Sequence, residues 1–224
     1  MNRTLSFTKL DYITIKPYLT LKNILIFVLV FAFIGYGTGD SSAMIGMLMM
    51  YSTIYASYPF AVGDKNGIDT LYATLPIAKK NIVAGRYIFA LCLNVCVCAI
   101  SLIASAILMT ALGKRFSWGE TLITILICFA FFSILEALQL PIYFKLGYAK
   151  AKFLAYLPLA AFPAAVMVIS IFVGKDSFSA FIESMFSWIQ ANDFYAAAFI
   201  VIIWFLIMLF SGLLSYRFYK KRDF

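Results

Sequence analysis

The sequence predicts an all-α, polytopic membrane protein with six transmembrane helices in a single domain, residues 1–224. Two compositional facts and one pattern carry this. Hydrophobic residues make up 64% of the chain and charged residues 12%, against roughly 45–50% and about 25% in soluble domains. A soluble fold of this length cannot bury that much apolar surface, so lipid must cover it. The apolar runs are long and unbroken and lack the period-two alternation of a membrane barrel, which leaves helices as the only way to satisfy the backbone in hydrocarbon.

A crossing helix needs about 20 apolar residues. Six runs qualify: about Ile24–Gly39, Ser42–Val62, Tyr87–Leu112, Thr121–Phe144, Phe153–Gly174 and Phe194–Tyr216. The first is the shortest. Its polar lead of some 20 residues and Lys22 at its start favour a retained anchor over a cleaved signal peptide. The lead itself reads as an interfacial elbow broken by Pro17. Pro59, Pro141, Pro158 and Pro163 fall within or near the ends of spans and predict bends.

Six crossings place both termini on one side. Fifteen of the 18 Lys and Arg residues lie in the two terminal segments and the second and fourth loops, and only Lys114, Arg115 and Lys175 lie opposite. That asymmetry predicts a multi-pass cell-membrane protein with both termini in the cytoplasm. It also accounts for the net charge of +8, and the scatter of the basic residues over loop edges argues against a nucleic-acid partner. The chain has no histidine, which removes the common metal sites and imidazole-based catalysis. Its four cysteines all sit in apolar runs and read as small packing residues. The stretch YGTGD, 36–40, matches the Gly-x-Gly-Asp of intramembrane aspartyl proteases, but no span offers the second aspartate that chemistry requires. An enzyme is not expected.

Two polar inserts stand out. Between spans two and three lies GDKNGIDTLYATLPIAKKNIVAGRY, 63–87. Ile68, Leu71, Tyr72 and Leu75 fall at helical spacing, Asp69 sits in the first turn and Pro76 ends the run. A second amphipathic turn with Lys79 and Lys80 leads into span three, with Arg86 snorkelling to the interface. A bare connector needs only a few residues. A short amphipathic helix here would lie on the bilayer or dock in a partner's groove, and docked it would act as a lever on the spans it joins. Between spans five and six, SFSAFIESMFSWIQ, 177–190, predicts an external amphipathic helix with Trp188 at the headgroup level.

Inside the spans, Glu136 is the one deep acid. It lies nine residues from Lys145, about 13 Å of helix rise. A carboxylate there costs several kcal/mol unless it is paired, protonated or wet. Asn94 is expected at similar depth on span three, and Gln139 follows one turn on from Glu136 on the same face. The trio reads either as a structural hydrogen-bond cluster or as a polar lining that meets cationic groups of a transported molecule.

The 63–87 insert resembles the first cytoplasmic loop of small type-2 ABC transporter permeases, through Asp64, Lys65, Asn66, Gly67, Leu71, Leu75, Pro76, Ile77, Lys79, Lys80, Ile82, Val83, Arg86 and Tyr87. LPIYFKLGYAKAK, 140–152, resembles that family's exit from span four, through Pro141, Phe144, Lys145, Gly147, Tyr148 and Lys150. It departs at Ala149, where the family often carries an acid. Among such permeases the chain most resembles the membrane subunits of phenol-soluble modulin exporters of Gram-positive bacteria. The resemblance implies that the loop is a coupling helix, with Asp64, Lys65, Asn66, Asp69, Leu71, Tyr72, Leu75, Pro76, Lys79 and Lys80 facing a separate cytoplasmic ATPase. It implies two permeases, identical or paralogous, with two ATPases, surrounded by membrane lipid. ATP and Mg would belong to the ATPase, since this chain has no phosphate loop and no cofactor of its own is expected. The implied activity is export of amphipathic peptides, either modulin-like toxins or peptide antibiotics. The alternatives are lipid or drug export, or an ATPase-independent channel or scaffold.

Overall fold

In the computed structural model, the described residues are 3–18, 20–39, 41–65, 67, 78–174, 177, 180, 184 and 193–222. They form α1 (Arg3–Ile15), α2 (Leu21–Thr38), α3 (Ser41–Ala56), α4 (Tyr58–Lys65), α5 (Lys79–Ala111), α6 (Trp118–Leu146), α7 (Tyr148–Val173) and α8 (Asp193–Lys221), with no strand among them. Five helices are long and apolar enough to cross a membrane: α2, α5, α6, α7 and the Val201–Lys221 part of α8.

The run expected to cross as Ser42–Val62 is not one helix. α3 stops after 16 residues at Ala56, and α4 resumes at Tyr58. Pro59 supplies no N–H and its ring opposes the carbonyl four residues back, so the helix cannot run straight through. Ser57 absorbs the break: its N–H and its Oγ both donate to the Ile54 carbonyl (3.1 and 2.7 Å), and its own carbonyl accepts from Phe60 N–H (3.1 Å). At α5 the difference is opposite. The amphipathic turn placed before span three is the first turn of α5 itself, which runs 33 residues from Lys79, about 50 Å. Between Lys79 and Tyr87 there is no proline, and only Gly85 carries a large helix penalty, so the helix propagates.

α3, α5 and α6 form the centre, with α2 against α3 and α8 against α6 and α5. Two apolar clusters fill it. One gathers Met44, Leu48, Met49, Val97, Leu108, Phe132 and Leu135. The other, nearer the basic ends of the helices, gathers Phe7, Phe60, Ile82, Val83, Leu140, Tyr143, Phe144 and Tyr219. α7 buries Ala151 and Ala155, and beyond them no described residue of it is buried.

α1 is more than an interfacial strip. Phe7, Asp11 and Ile15, four residues apart, are buried against α5. Gly85 permits the approach, since a Cβ there would fall 2.8 Å from the Phe7 ring. Thr8 Oγ1 donates to the Gly85 carbonyl at 3.2 Å. The turn at 16–18 holds Pro17, where the elbow was expected to break. The predicted external helix over 177–190 lies outside the described residues apart from Ser177, Ala180 and Ser184.

Candidate functional site

Between the two apolar clusters lies a polar layer. Asn94 on α5 donates its amide to Glu136 Oε2 on α6 at 2.8 Å and accepts from Ser52 Oγ on α3 at 2.5 Å. Glu136 is 1% exposed, Asn94 wholly buried and Gln139 2% exposed. The three central helices are thus tied at one depth, where hydrocarbon offers no competing partner. Glu136 faces its helical neighbours and does not line the apolar cavity between α1, α2, α3 and α5. Ser52 escaped the sequence reading because a lone hydroxyl in an apolar run breaks no periodicity. Asn94→Leu is expected to cost about 1–2 kcal/mol, because it takes the amide donor away from the Glu136 carboxyl in a dry site. Glu136→Leu combined with Asn94→Leu should cost less than Asn94→Leu alone. Thermal melting of the detergent-solubilised protein measures both.

One turn beyond, Pro141 sits inside α6 and leaves the Ala137 carbonyl without its helical donor. Ser211 of α8 donates to that carbonyl. Its proton being committed there, the Ser211 oxygen accepts from the Tyr87 hydroxyl (2.5 Å), which in turn accepts from Ser215 (2.8 Å). A missing backbone bond is converted into a cross-tie between α5, α6 and α8.

Arg86 does not snorkel. Its side chain is 3% exposed, its Nε lies 3.1 Å from Asp11 Oδ2, and its guanidinium stacks 4.2 Å over the Phe60 ring. The α1 carboxylate, 75 positions away in the chain, draws the cation inward. Nothing local to 63–87 signals this. The only hint was an acid set in the apolar stripe Phe7–Asp11–Ile15.

At the basic ends of the helices the two patterned sequence segments, 63–87 and 140–152, meet. Asp64, near the end of α4, accepts the Ala149 backbone N–H at 2.9 Å. That donor is one of the orphan amides at the start of α7, where the helix dipole also favours an anion. The contact at Ala149 is made by its backbone and needs no side chain. Arg222, just past α8, lies 3.7 Å from the same carboxylate. Gly147 turns the chain beneath them at φ 74°, ψ 169°. On the other side of the insert, Lys79 Nζ donates to the Lys220 carbonyl at 3.3 Å and lies 5.8 Å over the Tyr219 ring. Lys65 and Lys80 are exposed. Asn66, Asp69, Leu71, Tyr72, Leu75 and Pro76 lie outside the described residues.

An apolar cavity of about 520 Å³ opens between α1, α2, α3 and α5. Its walls are almost wholly apolar, including Phe27, Leu48, Phe89 and Val97, and its few polar groups are Thr8, Lys9, the hydroxyls of Tyr12, Tyr51 and Tyr55, and the Cys92 and Cys96 thiols. All four cysteines are free thiols; Cys92 and Cys96 are exposed. No cluster of His, Cys, Asp or Glu suited to a metal occurs among the described residues.

Comparison with models of known families matches residues 7–220 to the family described as ABC-2 family transporter protein. Comparisons with curated proteins and with solved structures return no match.

Proposed function

This chain belongs to the ABC-2 transporter family, and we propose that it is the membrane subunit of an ATP-driven exporter whose engine is a separate cytoplasmic ATPase seated on the 63–87 insert. The observation that carries the reading is the junction at the basic helix ends. The insert is pinned at Asp64 and again at Lys79, so its intervening stretch is presented by two fixed ends. A partner gripping that stretch would move helices, which a loosely hung connector would not permit.

In this reading the basic ends face the cytoplasm. α3 and α4 together make the remaining crossing, giving six spans, and two copies or paralogues of the chain work with two ATPases. Lys79 serves the inner contact, and Lys80, exposed, faces the ATPase. Residues Asn66, Asp69, Leu71, Tyr72, Leu75 and Pro76 supply the rest of the docking face. We assign the cargo to amphipathic peptides, modulin-like toxins or peptide antibiotics leaving a bacterial cell. The cavity supports this class, because apolar walls with a few hydroxyls and one lysine suit a molecule with one oily face.

The test is co-purification of the native complex. Lys80→Glu together with Leu75→Asp is expected to abolish recovery of the ATPase while leaving the permease folded. Undiminished recovery and ATP turnover would show that the ATPase is held elsewhere.

A further inference from the structure

The 66–78 stretch is joined in sequence only to α4 and α5, yet the residues that flank it, Asp64 in α4 and Lys79 in α5, touch two other helices. Asp64 meets the start of α7 through the Ala149 N–H, and Lys79 meets the end of α8 through the Lys220 carbonyl. Each charge sits where a helix end lacks partners and where the helix dipole favours that sign. Arg222 closes the arrangement. Its backbone N–H returns to the Tyr219 carbonyl at 3.4 Å, and its guanidinium reaches Asp64. Gly147 leaves room for this: a Cβ there would lie 2.9 Å from Arg222 Nη2 and 3.1 Å from Asp64 Oδ2. Tyr219 anchors the last turn of α8, 3% exposed and edge-on to Phe144 of α6.

From this arrangement we infer that the C-terminal turn of α8 is a brace through which the insert drives α7 and α8, with Arg222 as a positioning residue that holds Asp64 on the start of α7. The inference rests on the ATPase-coupling reading above. Force on the insert then reaches α7 laterally, through a carboxylate, instead of only along the chain into α5. α7 suits such a driven part, since beyond Ala155 none of its described residues is buried within the chain.

Hydrogen–deuterium exchange mass spectrometry on the full complex in nanodiscs, with and without a non-hydrolysable ATP analogue, tests this. In the wild type the analogue should change exchange in the first turns of both α5 and α7. Arg222→Glu should lose the change at α7 and keep it at α5, and Arg222→Lys should restore it. A merely structural contact would alter basal exchange without removing the nucleotide response selectively. If the reversal does not fold, Arg222→Gln gives the same readout. An α7 response that persists in the folded Arg222 variants overturns the brace. A wild type with no response at either helix overturns the ATPase-coupling reading itself.

Discussion

Replacing Arg86 by alanine is expected to destabilise the protein by about 3–5 kcal/mol, the cost of leaving one member of a buried ion pair unmatched. The pair is Asp11 with Arg86, both almost fully buried, and the guanidinium also covers Phe60. Removal would leave the buried Asp11 carboxylate without its cation and would loosen α1 on α5. Asp11→Leu with Arg86→Met should recover most of the loss, since apolar side chains of similar volume fill the site without a charge to strand. Melting midpoints of the two variants in detergent measure the difference. Equal destabilisation by the single and double variants would show that packing, and not the unpaired charge, governs the site.

The second large effect is expected at Gly147. Its backbone, at φ 74° and ψ 169°, occupies a region open essentially to glycine alone. A side chain there costs about 1–3 kcal/mol in backbone strain. A Cβ would also crowd Arg222 Nη2 at 2.9 Å and the Asp64 carboxylate at 3.1 Å. Arg222 is long enough to swing aside, but Asp64 would be pushed from the Ala149 N–H, adding about 1 kcal/mol for the lost bond. Gly147→Ala should therefore lower the melting midpoint more than Arg222→Gln, which removes one partner and leaves the turn intact. The reverse order would mean that the turn is not strained as its dihedrals imply.

Legibility of the fold in the sequence divides along the range of the forces involved. Long apolar runs are set by the solvent, and they located α2, α5, α6, α7 and α8 directly. The depth of Glu136 was readable because helix rise is fixed, so counting residues from Lys145 placed it well inside its span, with Asn94 expected at a similar level. Pro59 signals a bend, but a full break at Ser57 is obscured because the run's hydropathy continues through it. Arg86 was read as an interfacial residue because its local context shows only a cation beside an apolar span; its partner arrives from α1. At the basic end, Asp64 and Gly147 stood out as parts of patterned segments, but their meeting depends on a backbone amide and on Arg222. A backbone donor carries no sequence signature, and Arg222 is one of four basic residues in a tail that topology alone accounts for.

Placing a photo-crosslinking amino acid at Leu75 in cells and identifying what it captures tests the central claim most directly. Seating of an ATPase on the insert predicts a single crosslinked protein bearing phosphate-loop and Walker-B motifs, captured to an extent that changes with ATP. Capture of lipid alone, or of no ATPase while one co-purifies with the chain, would contradict it.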